Sequence, residues 1–264
     1  MTSALEPILC SLDDGIARIR FNRPSALNAI DVAMAQQLLS VVKTLRAAGG
    51  VRVVVLSGEG KAFMAGGDLQ AFYADLDHAD VAARAIIDPL HAAITLLAQG
   101  DTPVIASLHG AVAGAGMSLA LGADLAIASD DAKFNMAYSR IAASLDGGGS
   151  WALPRIVGLR RAMEIALLSD PLDAKSALEL GLVNRVVPAA ERENETLVVA
   201  TRLAQGPTGA YGRIRRLLRE AGERDLPAQL RAERDAFAAG ARTRDFAEGL
   251  AAFFGKRAPQ FTGK

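Results

Sequence analysis

Cysteine, histidine and tryptophan are scarce in this 264-residue chain, which has one Cys, three His and one Trp. A lone Cys10 excludes an internal disulfide and suits a reducing compartment, so the expected location is the cytoplasm. One thiol and a few scattered imidazoles give no zinc-ligand spacing, and no metal site is expected. His78, His91 and His109 all precede the GMSLA stretch around Ser118, which excludes a serine-hydrolase elbow with a later histidine. GAGMSL also lacks the third glycine of a dinucleotide fingerprint. Excess charge is missing too. Twenty-nine basic and twenty-nine acidic side chains cancel, leaving no electrostatic case for nucleic acid or an anionic membrane as partner. The opening MTSALEPILCSLDDG has no basic n-region and carries Glu6 and Pro7, so no secretory leader is expected. With 51% hydrophobic residues the chain is not a disordered one, and its length suffices for one large core, alone or with an appendage.

No formal charge occurs between Asp101 and Asp124, and hydropathy alone would suggest a membrane span there. Pro103 and four glycines in that run suit a strand–turn–helix corner better. Val104, Ile105 and Leu108 read as a short buried strand ended by His109-Gly110. Gly114, Ala115 and Gly116 then open a small-residue helix. Such a turn presents bare backbone N–H groups with the positive end of the helix dipole behind them, the chemistry of an anion or oxyanion site. On its own it would equally serve tight helix–strand packing.

Along the chain, Ile16–Phe21 alternates as a strand, NRPSALNAI is a loop, and Asp31 caps a helix over 32–48 that Gly49-Gly50 ends. Val53–Leu56 is a fully apolar strand leading into SGEGKAFMAGGDL, a second glycine-rich loop. An alanine-rich helix around 78–98 follows, then strands at 104–108 and 124–129 and a short strand and turn in 131–140. LDGGGSWALPRIVG reads as a glycine-rich corner before a helix over 160–168, with another over 173–180. From about 191 the pattern is helical and charged, and RIRRLLRE (213–220) reads as a solvated helix face. Strands alternating with helices predict an α/β core over 1–190, with a helical region over 191–264.

AGGDL (Ala65–Leu69) and HGAVAGAG (His109–Gly116), each directly after an apolar strand, resemble the crotonase superfamily, the enoyl-CoA hydratase/isomerase group. NRPSALNAI, GLVNRVV at 181–187 and the terminal FFGKRAPQFTGK extend the resemblance over essentially the whole chain. It implies an α/β spiral core of ββα turns, a C-terminal helical trimerisation region, and an acyl-CoA thioester as ligand. Coenzyme A is then part of the substrate, and no separate cofactor is implied. The assembly implied is a homotrimer or a dimer of trimers. The family's oxyanion hole maps to the backbone N–H groups of Gly67 and Ala115, which would favour a thioester enolate over its ground state. Asp68 reads as a loop-shaping or capping residue.

The chain also departs from that pattern. Hydratases of this group carry two glutamates, whose positions are Ser118 and Tyr138 here, and neither side chain readily activates water near neutral pH. A carboxylate stands instead at Asp146, where isomerases of the family place a catalytic acid; taken alone, an Asp before three glycines would be a turn or cap residue. MAYSRI, LDGGGSWALPRIVG and RAPQFTGK are similar to the 2-(1,2-epoxyphenylacetyl)-CoA isomerase and Δ3,Δ2-enoyl-CoA isomerase branch. One carboxylate suits a 1,3-proton shuttle. Family members that displace an aryl halide pair a histidine near His91 with an aspartate nucleophile near Asp146, although a lone His on an alanine-rich helix is more often a packing or surface residue. His91, Tyr138 and Trp151 are the candidate acyl-pocket residues. For coenzyme A, the resemblance implies Arg23, Ala26, Leu27, Lys61 and Ala65, with Phe253 and Lys256 reaching a neighbouring subunit's ligand. The expected function is an acyl-CoA isomerase. The alternatives are a hydratase with non-standard acid and base residues and a non-catalytic acyl-CoA-binding homologue.

Overall fold

The computed structural model describes residues 6–263; the first residues of the segment read as lacking a secretory leader lie outside them. In chain order the strands are β1 (Ile8–Asp13), β2 (Ile16–Phe21), β3 (Val53–Gly58), β4 (Ala62–Met64), β5 (Val104–Leu108), β6 (Ala111–Ala113), β7 (Leu125–Ser129), β8 (Lys133–Asn135), β9 (Leu172–Asp173) and β10 (Arg185–Val187). The helices are α1 (Val32–Ala48), α2 (Leu69–Tyr73), α3 (Ala79–Gln99), α4 (Ala115–Gly122), α5 (Gly149–Val157), α6 (Leu159–Leu168), α7 (Ala174–Glu179), α8 (Arg192–Ala204), α9 (Thr208–Glu220), α10 (Leu226–Gly240) and α11 (Arg244–Phe254).

Six strands form a sheet in the order β1-β2-β3-β5-β7-β10, parallel except for the β1–β2 hairpin. A smaller sheet, β4-β6-β8-β9, lies beside it, so the chain steps from the large sheet to the small one after β3, β5 and β7. Val54 and Leu56 of β3 point into the main core with α1, α3 and α4, while Val53 and Val55 face Ala200 and Ala204 of α8. Burial on both faces is why β3 reads as an uninterrupted apolar run. The helical region after residue 191 therefore shares the core of the preceding part: α8 closes the back of the sheet.

The Asp31 cap forms as expected, its carboxylate accepting the Met34 N–H at 2.8 Å, and Gly49 ends α1 with φ 68°. The charge-free stretch resolves into β5, β6 and α4. Every residue of α4 from Ala115 to Leu121 is buried, as expected of a helix apolar on all sides. By length and composition alone, Leu76–Gln99 is long and apolar enough to cross a bilayer; here it contains α3, which turns Ile86, Leu90 and Ala93 into the core.

The sequence reading missed several features, among them the short strands β4, β6, β9 and β10 and the helix α2. In β1 only Ile8 is buried, so the strand carries no apolar alternation. The glycine-rich corner at 147–149 opens a helix of its own, α5, before the expected one. RIRRLLRE is not a solvated face. Arg215 is buried, with its Nε 2.7 Å from Asp124 Oδ2 but off the N–H line, so this contact is ionic. Arg219 donates to Asp124 Oδ1 at 2.8 Å and to the Gly122 carbonyl at 2.9 Å. These arginines dock α9 onto the C-terminal end of α4, where a cation also meets the negative end of the helix dipole.

Candidate active site

The two glycine turns lie back to back. A Cβ on Gly114 would stand 3.3 Å from Gly66 Cα, and one on Gly66 would stand 3.5 Å from the Ala113 carbonyl oxygen. Gly114 has φ 50° and ψ −123° as the N-cap of α4, a conformation that L side chains avoid. One residue beyond each turn come Gly67 and Ala115. Among the described residues neither N–H is taken up by another group of the chain. Ala115 is the first residue of α4, whose leading N–H groups have no partner within the helix. The site thus offers two backbone donors from two abutting loops.

The AGGD loop is fixed from below. Asp68 caps α2, its Oδ1 accepting the Gln70 N–H at 3.2 Å, in keeping with the loop-shaping role read from the sequence. Arg23 donates to Asp68 Oδ2 at 2.9 Å, sits 3.2 Å from Asp31 Oδ2 and also donates to the Ala29 carbonyl. Its charge thus faces two carboxylates of its own chain. Asn28, fully buried in a left-handed turn with φ 57°, was missed as a positioning residue. Its Nδ2 donates to the Glu59 and Ala62 carbonyls, and its Oδ1 accepts the Arg23 N–H. An asparagine in an x-N-x turn is the available signal, because its amide side chain can satisfy loop backbone on both sides.

Ser118, one turn along α4 from Gly114, comes together with Tyr138, Asp146 and His91. The Tyr138 phenol donates to Asp146 Oδ1 and lies 3.2 Å from the Ser118 hydroxyl. Ser118 is fully buried, Tyr138 nearly so and Asp146 half-buried. Burial, followed by the neighbouring Asp146 charge, raises the ionisation of the Tyr138 phenol well above its ordinary range, so it remains a donor. The loop after Asp146 rests directly on Ser118: a Cβ on Gly147 would lie 3.0 Å from Ser118 Cβ, and one on Gly149 2.5 Å from Ser118 Oγ. His91 Nε2 accepts the Gly147 N–H at 3.0 Å. That bond spends the Nε2 lone pair and puts the proton of the neutral ring on Nδ1.

Trp151 stands apart from this group. It packs under Arg155, 4.2 Å from ring centroid to guanidinium, and lines a cavity of about 440 Å³ with Leu121, Asp124, Leu218 and Arg219. Of the positions read for coenzyme A, Ala65 and Leu27 are joined by an N–H···O bond of 3.0 Å, with Ala26 beside them. Lys61 is exposed where its backbone passes Gly110. Phe253 and Lys256 are exposed at the end of α11 and just beyond it.

Likenesses to known proteins run along nearly the whole chain. A profile described as enoyl-CoA hydratase/isomerase matches residues 11–264. A probable enoyl-CoA hydratase of Rhodobacter capsulatus is 38% identical over 253 residues, covering 96% of each chain. The 1,2-epoxyphenylacetyl-CoA isomerase of Escherichia coli is 37% identical over 264 residues, covering 98% of this chain and all of that one. The crystal structure of a putative enoyl-CoA hydratase/isomerase from Mycobacterium abscessus superposes with a TM-score of 0.91 at 36% identity, over 97% of this chain and 100% of the other. The two abutting glycine turns, the pair of largely parallel sheets and these full-length likenesses place the chain in the enoyl-CoA hydratase/isomerase family, with the crotonase fold.

Proposed function

We propose that this protein is an acyl-CoA isomerase that moves a double bond along the acyl chain of a thioester. The Gly67 and Ala115 N–H groups hold the thioester oxygen as it gains charge. Asp146 takes a proton from C2 of a 3-enoyl thioester, and the electron pair of that C–H bond forms a C1–C2 double bond as the carbonyl pair moves onto oxygen. As the carbonyl re-forms, the C1–C2 pair becomes the C2–C3 double bond and the C3–C4 pair takes the same proton from Asp146 at C4. No water, oxidant or reductant is consumed. Two preorganised donors favour the enolate, and one such donor is worth about 3 kcal/mol in comparable sites.

The observation that carries this reading is that Asp146 is, among the described residues, the one carboxylate bonded into the Ser118–Tyr138 cluster. A hydratase arrangement is disfavoured by residue type, because Ser118 and Tyr138 offer no carboxylate. Gly147 and Gly149 abut Ser118, so the loop bearing Asp146 packs directly on the cluster. His91 supports that loop through Gly147 and has no Nε2 lone pair left to act as a base. On this reading Ala26, Leu27, Ala65 and Lys61 rim the coenzyme A site, and Arg23 holds the AGGD loop. Phe253 and Lys256 serve a neighbouring subunit in a trimer or a pair of trimers. Exposed Leu159, Leu167, Leu218, Leu226, Phe237 and Phe254 give such an assembly apolar surface to bury.

Near-ultraviolet absorbance with a 3-enoyl-CoA and a 2-enoyl-CoA tests the reaction. Conjugation of the 3-enoyl substrate, absent in Asp146→Asn, is expected. Loss of the 2-enoyl signal would mean hydration and overturn the isomerase reading, and silence on both substrates with retained thioester binding would point to an aromatic or epoxide substrate or to a binding protein.

A further inference from the structure

We infer that Tyr138 is the positioning residue for Asp146, fixing one carboxylate oxygen by hydrogen bonding so that the other carries the proton. This deepens the isomerase reading and rests on it. A phenol has a single proton, and here it goes to Asp146 Oδ1. The contact between Ser118 Oγ and Tyr138 Oη at 3.2 Å must then run the other way, with Ser118 donating. The result is a directed chain, Ser118 to Tyr138 to Asp146. Asp146 Oδ2 receives no hydrogen bond from the described residues, which leaves its lone pairs to take the proton. Both positions expected to carry a hydratase's glutamates have thus become the support of a third residue.

The turn that bears Tyr138 is itself held on several sides, as a positioning role requires. It is a single 3-10 turn, Tyr138–Ile141, bracketed by left-handed Ala137 and Ala142 at φ 46° and 55°. Non-glycine residues keep such angles only where their surroundings over-determine them. Asn135 Oδ1 accepts the Ala137 N–H at 2.6 Å, and Asn135 Nδ2 donates to the Ser169 carbonyl at 2.9 Å. Arg140 donates to that same carbonyl at 2.7 Å, and the Ser139 and Ser169 hydroxyls meet at 2.7 Å. Ser169 is fully buried at the end of α6. A residue serving only as a wall of the acyl pocket would not need its hydroxyl; a positioning residue does.

Tyr138→Phe keeps the ring and removes the bond. With a 3-enoyl-CoA, kcat should fall about 100-fold while KM stays within about twofold, because a misdirected base slows the reaction without weakening binding. A second measurement reads the bond without turnover: the ζ-carbon NMR resonance of Tyr138, assigned by its absence in Tyr138→Phe, should move in Asp146→Ala. A wild-type kcat in Tyr138→Phe with Asp146→Asn inactive overturns the positioning role alone. An unmoved tyrosine resonance overturns the hydrogen bond. Turnover retained by Asp146→Asn overturns Asp146 as the base, and the positioning role with it, whereas a native protein that leaves the 3-enoyl-CoA unchanged overturns the isomerase reading.

Discussion

Gly116 and the Met64 carbonyl adjoin with no room for a methyl group between them: a Cβ on Gly116 would fall on that oxygen and 2.7 Å from Met64 Cβ. This contact sets how closely α4 approaches β4, and through it how the two glycine turns meet. Because the obstacle includes backbone, it cannot rotate away. Gly116→Ala should cost about 1–3 kcal/mol as overpacking. Urea unfolding should show it as a lower midpoint with an unchanged slope.

Asp146→Asn keeps the size of the side chain and removes the base. Turnover of a 3-enoyl-CoA should drop by about 10²–10⁴-fold, the range for a lost general base. The measurement is the appearance of the conjugated thioester, with the unfolding midpoint recorded alongside to show an intact fold.

Ala115→Pro deletes one of the two proposed donors at a position where helices accept proline, since the first N–H of a helix has no partner within it. On the isomerase reading, kcat should fall about 10²–10³-fold. A thioester binding isotherm should remain measurable. Wild-type turnover would remove Ala115 from the oxyanion site.

Asp124, mostly buried, carries much of the tertiary structure around α4. It receives Arg215, Arg219 and the Val104 N–H. Asp124→Ala leaves buried Arg215 without its carboxylate, and breaking a buried pair costs about 3–5 kcal/mol. Thermal unfolding should show a large fall, against a small one for Arg216→Ala, whose partner Asp101 is exposed.

His109 should make stability depend on pH. Burial, then the Arg192 charge, hold its imidazole below the ordinary 6.5; the Nε2–H···O bond to Gly60 opposes them. The unfolded chain therefore binds a proton first as pH falls. The contribution is complete above about 6.5 and is lost as pH drops through the lower folded value. Melting curves across that acid range should fall less steeply for His109→Gln than for the native protein.

Much of the fold could be read locally. Asp31 is legible as a cap because its partner is three residues away, and the Gly114-Ala115-Gly116 turn because strand, glycines and helix are contiguous. The run VVVL announces a strand buried on both faces. The rest depended on distant partners. Arg219 looks solvated until Asp124, ninety-five residues earlier, is placed beneath it. The α5 helix begins on glycines whose composition reads as a corner, because their small size serves Ser118 across the fold rather than the helix itself. At the site, Asp146 could be found by position, whereas its bond to Tyr138 required the turn at Ala137 to be built.

The glycines pressed against Ser118 have an evolutionary corollary. Where the Asp146 loop lies that close, a side chain gained at 147 or 149 would meet Ser118 before any other group. A lineage in which either glycine changes has to move the loop, and Asp146 with it. Glycine at 147 and 149 should therefore be retained wherever Asp146 is, with changed forms selected against for folding as well as for catalysis.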